Sequence, residues 1–562
     1  MVRNKADQGR TSFNAIRLSA CMMVKDEEEM LPRCLASIRD EVDEIVVVDT
    51  GSTDRTVEIA LSFGARVFHH PWANDFSLHR NQSISYSSGE WIFIIDADEE
   101  YRPSRERSLR EEVVLAEQKG IDTLVLRVEN FQSEGRETVC SDSIRAFRKN
   151  GRICYEGIVH NKLVGFGNPG GSLGRIVHYG YDRGMASARK KFERTATLLR
   201  KQIAENPENA AAHMYLSASH EALEQHEDTL REARIAVDLV EAQGISNHQY
   251  VRAYYSAARA LLLKKQYDEA ETFCDRAEAR FGAQIDILAA RTMIRFQKKD
   301  WTGVATFGTR YRQNLENYRN FTSEKILTHI ATYGDAWKIL GWMGTAKIQL
   351  GQLEEGEALY RQSLEVSPDQ ELLHRHAGLT LISAGHVGRA RPYLEEARRL
   401  SRTGKDSRVV EALFKTAVLM KDPSLGERSV RDALALPGES SPWLLDLSEF
   451  AFRHGDTRIA FLVLTGLVAD DEGNIPARLR LARLLVLMGM IEEAVRECDA
   501  LLRLLSLPRD RTLASLQDLA DLFRDIGKIR DASGDADDGL VAGDIARLLT
   551  EPPACQAAPE TR

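Results

Sequence analysis

The sequence has few cysteines, no excess of basic residues and no long apolar run. Its seven cysteines form no C-x-x-C pair, so we expect a reducing compartment and neither a disulfide framework nor a structural zinc site. A formal net charge of −9 offers no basic surface for nucleic acid. Residues 1–16 lack the apolar core of a signal peptide, and the most apolar later run, 479–490, is too short to span a membrane. We therefore predict a cytoplasmic protein without a membrane span.

Two nucleotide-binding motifs are absent as well. No G-x-G-x-x-G follows the first predicted strand, and no G-x-x-x-x-G-K-[ST] lies near it. These absences argue against a dinucleotide-dependent dehydrogenase and against a P-loop NTPase. With 562 residues the chain is too long for a single core, and we expect about three or four domains after a disordered tail over residues 1–16.

The first hundred residues alternate short apolar runs with amphipathic segments. The runs at Leu18–Val24, Glu44–Asp49 and 91–95 have no polar alternation, which predicts strands buried on both faces of a sheet. ARVFHH, at 65–70, predicts one more strand between them. The resulting βαβαβαβ pattern predicts a parallel sheet with helices on both faces.

Carboxylates follow two of these strands at the point where each strand ends. Asp49 ends one strand, and Asp96 and Asp98, separated by a single residue, follow another. Ligands of open α/β sheets bind at the carboxyl ends of the strands. Two such carboxylates suit Mg²⁺ or Mn²⁺ shared with phosphate oxygens. A strand end followed by an acidic first helical turn explains the same residues without a metal.

The loop after Asp49 adds backbone donors at the same edge of the predicted sheet. Gly51 and Ser52 begin a turn whose N–H groups are suited to a base, a ribose or a phosphate. Lys25 and Asp26 follow the first strand at the same edge. A polar ligand site along this edge is therefore expected.

Further strands and two histidines follow the acidic turn. A charged helix is predicted at 103–120, and strands are predicted at 122–129, 138–148 and 153–164, with a hairpin-like turn at 149–152. His160 and His178 lie in or beside such runs, and either imidazole suits a contact to a metal or a phosphate. A half-buried strand histidine without such a role is the plainer alternative.

Helical repeats fill the rest of the chain. A basic linker helix is predicted at 183–204, a tetratricopeptide-repeat array at 205–400, degenerate repeats at 401–533 and a flexible tail at 534–562. The array is indicated by LGQLEEGEALYRQSLEVSPD and by two pairs of glycines spaced 34 residues apart, Gly351 with Gly385 and Gly455 with Gly489. Such repeats stack into a superhelix, whose groove suits a polypeptide or self-association into a homodimer.

The motifs of the first domain resemble those of a known family. CMMVKDEEEMLPRCLASIRD, EIVVVDTGSTDRTVEIALSFGARVF, DFSLHRN and GEWIFIIDADEE together resemble the family 2 glycosyltransferases, in particular the bacterial subgroup that carries tetratricopeptide repeats. The resemblance covers 18–181. It implies an α/β GT-A-type domain over 17–182, Rossmann-like with a mostly parallel sheet, followed by an all-α repeat superhelix.

The resemblance also implies an activity. The expected reaction is inverting transfer of a sugar from a nucleotide-diphosphate sugar, with UDP the expected nucleotide, to a protein, peptide or glycan acceptor. Mn²⁺ or Mg²⁺ is the expected cofactor, held by a DxD motif. In the family pattern, the acceptor attacks the anomeric carbon from the face opposite the leaving nucleoside diphosphate, through an oxocarbenium-like transition state.

Roles for single residues follow from the same resemblance. Asp49 is expected to accept a hydrogen bond from the base, and Arg80 and Asn81 are expected beside the diphosphate. Asp96 is expected to contact the ribose or a metal-bound water, and Asp98 to ligate the metal. The other predicted contacts to the nucleotide sugar are Val24, Lys25, Gly51, Ser52 and Ala97, and His178 is the second candidate metal ligand.

One residue departs from the family pattern. Asn161 occupies the position where relatives carry Glu, and an amide cannot take a proton. The general base is therefore predicted among His160, Glu156 and Asp142. A thiol acceptor would need less help from a base, because the pKa of a free cysteine lies near ~8.5.

Two other functions compete with catalysis of sugar transfer. Asn161 favours a non-catalytic repeat scaffold that carries a glycosyltransferase-like domain. A nucleotidyltransferase that makes sugar nucleotides on a similar sheet is the second. That class opens with a Gly-rich, basic phosphate loop after the first strand, which MVKDEEEM does not supply.

Overall fold

The structure is a computed structural model that describes residues 16–132, 137–181, 185–320, 329–401, 406–436, 441–507 and 515–550. The chain divides into two compact units, Met1–Ser367 and Pro368–Arg562. The described part of the first unit contains a large sheet followed by helical repeats, whereas the described part of the second contains helices only. Of the predicted tail over 1–16, only Ile16 lies within the described residues.

A nine-stranded mixed sheet forms the core of the N-terminal half of the first unit. Its strands are β1 (Leu18–Val24), β2 (Glu44–Asp49), β3 (Arg66–His69), β4 (Trp91–Ile94), β5 (Glu99–Arg102), β6 (Thr123–Gln132), β7 (Glu137–Arg148), β10 (Pro169–Tyr181) and β11 (His329–Ile330). They are ordered β3-β2-β1-β4-β7-β6-β10-β5, with β11 paired to β7. Strands β3, β2, β1 and β4 are parallel, which confirms the predicted βαβ half.

Four helices cover this sheet, and short polar motifs set where two of them begin. They are α1 (Leu31–Ile38), α2 (Thr56–Ser62), α3 (Phe76–Tyr86) and α4 (Leu109–Gln118). The Asp75 carboxylate accepts a hydrogen bond from the backbone N–H of Leu78 and caps α3. A capping box between Ser108 and Glu111 starts α4, later than the helix predicted from 103.

The predicted strand over 153–164 is wrong. The structure has two short antiparallel strands there, β8 (Cys154–Glu156) and β9 (Lys162–Val164), joined by a loop. Gly157 and His160 have φ of +93° and +49° within that loop, which a continuous strand cannot accommodate. The hairpin predicted across 149–152 is also wrong, because β7 pairs with β4, β6 and β11.

Helices occupy most of the chain after residue 184. In the first unit they are α5 (Met185–Glu205), α6 (Ala210–Ala222), α7 (His226–Ala242), α8 (Val251–Leu263), α9 (Tyr267–Phe281), α10 (Ile285–Gln297), α11 (Trp301–Asn320), α12 (Ala336–Gln349) and α13 (Leu353–Val366). In the second they are α14 (Glu371–Ser383), α15 (Val387–Leu400), α16 (Ser407–Met420), α17 (Pro423–Leu434), α18 (Ser441–Arg453), α19 (Thr457–Asp470), α20 (Ile475–Leu487), α21 (Ile491–Leu504), α22 (Leu516–Ala532) and α23 (Ala536–Thr550).

Successive helices pack as antiparallel pairs, which is the repeat arrangement that the sequence predicts. The turn inside a pair contains a residue with positive φ. The four glycines used to predict the repeats occupy such turns, with φ between +74° and +84°. Glu224, Lys265, Lys299 and Lys421 occupy the equivalent turns of other pairs.

The flexible tail predicted from residue 534 is wrong for residues 536–550, which form α23. Val541, Ala542 and Ile545 are buried, in the cluster that also contains residues of α22. Asp538, an acidic residue within the predicted tail, is buried and forms ion pairs with Arg480 and Arg530. Acidic residues in a first helical turn and a solvated tail look alike in sequence.

No helix in the described part of the chain is long and apolar enough to cross a membrane.

Candidate active site

The acidic turn after β4, at 96–98, is stabilised by one backbone hydrogen bond and by one hydrogen bond to a side chain. The backbone N–H of Glu99 donates to the carbonyl oxygen of Asp96 (3.0 Å), and the Glu99 carboxylate accepts from the backbone N–H of Asp96 (2.8 Å). Glu99 is 3% exposed. This reciprocal pair fixes the backbone between Asp96 and Asp98.

Two arginines lie against this turn. Nη2 of Arg80, from α3, donates to both carboxylate oxygens of Asp96 at 2.8 and 2.9 Å. Arg145, from β7, binds both oxygens of Glu99 at 2.7 and 3.1 Å and lies 3.9 Å from Asp96. Burial raises the pKa of Asp96, but the two guanidinium groups outweigh that effect, and the pKa of Asp96 lies below its usual value. Asp96 is therefore a half-buried carboxylate that is ionised at neutral pH.

Arg145 is the functional candidate that the sequence analysis missed. Leu124 of β6 pairs with Ala146, but the next residue, Val125, pairs with Ile144. Arg145 is therefore the extra residue of a β-bulge, a feature that re-aims a side chain. Alternation along β7 gave no sign of this, and the only available signal was an arginine between apolar residues, in IRAF.

Both arginines also have an atom without a protein partner. Nε of Arg80 and Nε of Arg145 are buried and make no hydrogen bond within the protein. A buried N–H that is left unpaired costs free energy, of the order of 1–3 kcal/mol. Two such donors beside an acidic turn suit an anionic ligand with many oxygens.

Asp98 and His178 face each other across the start of β5. The Asp98 carboxylate lies 3.1 Å from Nε2 of His178, and Nδ1 of His178 lies 2.7 Å from the Asn130 side-chain oxygen. A carboxylate oxygen and an imidazole nitrogen, two atom types suited to a metal, thus converge, with a second residue orienting the imidazole. The described residues contain no group of three or more His, Cys, Asp or Glu arranged for a metal. The pair fits a cation such as Mn²⁺ or Mg²⁺ whose other ligands come from phosphate and water.

Asp49 lies two strands away from Asp96, at the carboxyl end of β2. Strand β1 separates β2 from β4, so the two backbones are about 10 Å apart. The Asp49 carboxylate accepts from the backbone N–H of Ser52 (3.0 Å) and contacts Nδ1 of His69 (3.1 Å). Burial raises the pKa of Asp49, but hydrogen bonds led by those from Ser52 hold it below the usual value. Asp49 is thus an anionic acceptor near the acidic turn.

The remaining predicted donor-site residues lie beside Asp49 and Asp96. The Val24 carbonyl oxygen accepts from the backbone and hydroxyl of Thr50. Gly51 has a φ of +105°, and its N–H points to Asp49 at 3.4 Å. Lys25 is exposed, and Ala97 is buried under the turn.

Asn81 does not contribute its amide to this edge. Its side chain donates to the carbonyl oxygen of Tyr155 (2.9 Å) and accepts from the N–H of the same residue (2.8 Å). Both polar atoms are thereby used to attach β8 to α3. The predicted contact of Asn81 with a diphosphate is corrected to this structural role.

The three candidate bases lie in two places. His160 and Glu156 are exposed, on or beside the β8–β9 loop, and the His160 ring stacks on Tyr215 of α6 with centroids 4.0 Å apart. Asp142 is directed elsewhere, because its carboxylate accepts from the Tyr318 hydroxyl (2.9 Å) and lies 3.7 Å from Arg127. The structure therefore does not bring the three together.

Comparisons with known proteins match two separate parts of the chain. The model of "Glycosyl transferase family 2" matches residues 19–157, and the model of "Tetratricopeptide repeat" matches residues 251–279 and 338–370. A TPR repeat-containing protein of Synechococcus elongatus is 33% identical over 285 residues, which cover 48% of this chain and 68% of that protein. The SPbeta prophage-derived glycosyltransferase SunS of Bacillus subtilis is 26% identical over 282 residues, 49% of this chain and 65% of SunS.

Among solved structures, glucosyl-3-phosphoglycerate synthase from Mycobacterium tuberculosis is similar to part of the chain. It is 26% identical over 22% of this chain and 46% of its own, with a TM-score of 0.17. The two family models match separate parts of one chain, and the Synechococcus relative shares about half of it. The chain therefore belongs to the family 2 glycosyltransferases, in the group that joins the glycosyltransferase domain to tetratricopeptide repeats.

Proposed function

We propose that this glycosyltransferase moves a sugar from a nucleotide-diphosphate sugar, UDP-linked in the first instance, to a protein, peptide or glycan acceptor with inversion at the anomeric carbon. The observation that carries the proposal is the acidic turn of Asp96 and Asp98 flanked by Arg80. It combines a metal-binding carboxylate with a cation for the diphosphate at the carboxyl end of the sheet.

The donor is proposed to lie along the edge from Asp49 to Asp98. As an anion, Asp49 accepts hydrogen bonds, which suits the N3–H of a uracil base. Arg80 suits the diphosphate, because a guanidinium presents several donors in a fixed plane. When the donor binds, Arg80 would give up part of its contact with Asp96 and bind phosphate oxygens instead.

Asp98 and His178 are proposed to hold Mn²⁺ or Mg²⁺. When bound, the cation would act as a Lewis acid that offsets the negative charge growing on the leaving diphosphate. The protein residues supply the rest of the environment. Asn130 orients the His178 imidazole, and Arg80 adds positive charge beside the phosphate.

The transfer itself is proposed as a direct displacement. A lone pair of the acceptor oxygen, nitrogen or sulfur forms a bond to the anomeric carbon, while the bond from that carbon to the diphosphate oxygen breaks and leaves its electron pair on the nucleoside diphosphate. The acceptor proton passes to a base. His160 and Glu156 are the proposed candidates, since Asp142 is engaged by Tyr318.

The proposal is tested by ligand-dependent stability and by turnover. Thermal unfolding is measured with a panel of nucleotide sugars, each with and without Mn²⁺. A specific donor present at 100 times its Kd adds about 2.7 kcal/mol to the free energy of unfolding, and UDP sugars with Mn²⁺ are expected to do so. No shift with any nucleotide sugar would contradict the donor proposal.

A non-catalytic scaffold is the second candidate, and Asn161 favours it. Slow Mn²⁺-dependent hydrolysis of the preferred nucleotide sugar separates the two. Binding without any hydrolysis or transfer would support the scaffold. Hydrolysis above the rate of the Asp98→Ala variant would exclude it.

The repeats are proposed to hold the acceptor or to mediate dimerisation, and the cytoplasm is the proposed location. The described cysteines Cys21, Cys34, Cys154, Cys274 and Cys498 are all free, which suits a reducing compartment. Light scattering of the purified chain distinguishes a monomer from a dimer.

A further inference from the structure

Arg145 connects to the acidic turn through a continuous chain of contacts. Its guanidinium binds both oxygens of Glu99, and Glu99 in turn accepts from the backbone N–H of Asp96. The side chains of Arg145 and Glu99 are 12% and 2% exposed. Because the geometry is bidentate and shielded from water, this link restricts the turn more strongly than a surface ion pair would.

The second observation concerns charge. In the structure, Arg80 and Arg145 both lie near Asp96, but only Arg80 binds it directly. If Arg80 turns toward a diphosphate, Asp96 loses its closest cation while its side chain is only 31% exposed. Arg145, held in place by Glu99 and 3.9 Å from Asp96, is then the cation that remains.

We propose that Arg145 is a positioning residue of the donor site, which fixes the Asp96–Ala97–Asp98 turn through Glu99 and keeps Asp96 ion-paired when Arg80 moves to the diphosphate. This inference rests on the proposed function. The β-bulge explains why Arg145 reaches the turn at all, since a regular β7 would leave it at a different angle.

The test compares two variants with a matched control on the same strand. Arg145→Lys keeps a cation but loses the two-pronged contact with Glu99, and Glu99→Gln keeps the shape but loses the charge. Arg148→Lys is the control, because Arg148 also pairs with a glutamate, Glu117, but is 57% exposed and lies near the opposite end of β4. Mn²⁺ affinity is measured by electron paramagnetic resonance, and UDP affinity by calorimetry.

Both test variants are expected to bind Mn²⁺ in the presence of UDP about 10–100-fold more weakly than the wild type, as is usual when a residue behind a metal ligand is changed. The control is expected to bind within about twofold of the wild type, because exposed pairs contribute little. The double variant Arg145→Lys with Glu99→Gln is expected to be no weaker than the weaker single variant, because the two residues act as one unit.

Unchanged Mn²⁺ and UDP affinity in folded Arg145→Lys would overturn the positioning role and leave the proposed function standing. Wild-type protein that binds neither Mn²⁺ nor UDP would instead overturn the proposed function. Circular dichroism verifies folding of each variant. Should Arg145→Lys fail to fold, Glu99→Gln decides the matter, and wild-type affinity in that variant would equally overturn the role.

Discussion

At the scale of single residues, Asp98 is the position where removal of a charge is expected to reduce activity strongly and to change stability little. It contacts His178 and lies near Asp96. Asp98→Asn keeps the shape but removes the charge, so we expect a melting temperature within a few degrees of the wild type and sugar transfer reduced about 100-fold or more, because the cation is held less tightly. Transfer is measured with Mn²⁺ and a UDP sugar.

Asp43→Asn is the matched control for that experiment. Asp43 is also an ion-paired aspartate, bound to Arg110 and to the backbone of Leu18, but it lies just before β2, at the amino end of the strands. We expect the Asp43→Asn substitution to lower the stability of the protein and to leave the rate of sugar transfer per folded molecule unchanged. Equal loss of transfer in both variants would contradict the role of Asp98.

Glu44 makes the stability of the sheet dependent on pH. It is buried and accepts hydrogen bonds from Ser19, Ser88 and Arg66. Burial raises its pKa, but these donors, led by Ser19, outweigh the effect and lower the pKa from 4.5 to about 2. The ionised Glu44 therefore stabilises the fold fully above pH 4.5, and this contribution is lost as the pH falls toward 2.

The corresponding prediction uses Glu44→Gln. The variant is expected to be less stable than the wild type by about 3 kcal/mol at pH 7, and by about half of that at pH 3. The difference in melting temperature between the two proteins is measured at pH 7, 5 and 3. A deficit that stays constant over this range would show that the charge of Glu44 is not responsible.

Most residues of the candidate site were predictable from sequence, but their partners were not. Asp49, Asp96 and Asp98 follow apolar strands, and such strand ends meet at one edge of a sheet. Asn81 was assigned to the ligand because it follows Arg80 in a motif, whereas the structure uses it to hold β8. Arg145 depends on a bulge, which is set by pairing between β6 and β7 and leaves no local pattern.

At the scale of elements, the turns inside the helix pairs show a similar limit. Gly351, Gly385, Gly455 and Gly489 revealed the repeat because glycine adopts positive φ without a steric cost. Lys421 adopts the same left-handed conformation, with φ +51° and ψ +45°, at the end of α16. Repeats with a lysine or glutamate in this turn were harder to recognise, since tertiary packing imposes the conformation there.

Two substitutions in these turns are predicted to have opposite effects. Gly455→Ala is expected to destabilise the protein by about 1 kcal/mol, because a side chain at φ +77° is strained even though a Cβ would meet no atom within 4 Å. Lys421→Gly is expected to stabilise it by less than about 1 kcal/mol, since relief of strain is partly offset by the greater freedom of glycine in the unfolded chain.

Both turn variants are compared with the wild type by thermal unfolding. Because the two positions lie in neighbouring repeats of the second unit, they report on the same transition. Destabilisation of similar size in both would indicate that the lysine side chain, and not the backbone conformation, matters at 421.

The sequence predicted strands well where both faces of the strand are buried, and poorly where a loop interrupts the apolar run. Bounds for β1 and β2 agree with prediction because their runs are mostly apolar, show no polar alternation and are buried on both faces. The region of β8 and β9 contains apolar residues too, but Ile158 and Val159 pack against α5 and α6 instead of continuing a strand. Contacts with a distant part of the sequence decided that conformation.

At the scale of the whole molecule, the contacts that join the repeats of the first unit to the glycosyltransferase sheet include three that reach β7 or the β8–β9 loop. His160 stacks on Tyr215 of α6, Tyr318 of α11 donates to Asp142 of β7, and β11 pairs with β7. All three contacts involve β7 or the β8–β9 loop, which follow the acidic turn in the chain. The sheet and the first repeats therefore form one compact unit that ends at Ser367.

This organisation predicts how fragments of the chain behave. Fragment 16–367 is expected to melt in one cooperative transition and to keep the shift caused by UDP and Mn²⁺. Fragment 16–205 lacks α6, α11 and β11, so it would expose Val159 and Leu199, which are buried in the whole chain. We expect it to aggregate or to melt at least about 10 °C lower, since the loss of several buried apolar side chains costs several kcal/mol.

A point variant isolates one of the three contacts within fragment 16–367. Tyr318→Phe removes the hydroxyl that donates to the largely buried Asp142, which is expected to cost about 1–3 kcal/mol because a charged acceptor loses one of its partners. Burial already raises the pKa of Asp142, and loss of this donor is expected to raise it further, so the stability deficit should shrink as the pH falls through these raised values, which lie above the ordinary pKa of aspartate. Calorimetry of both fragments and the variant measures these effects.

Equal melting temperatures for 16–205 and 16–367 would contradict the view that the repeats complete the glycosyltransferase domain.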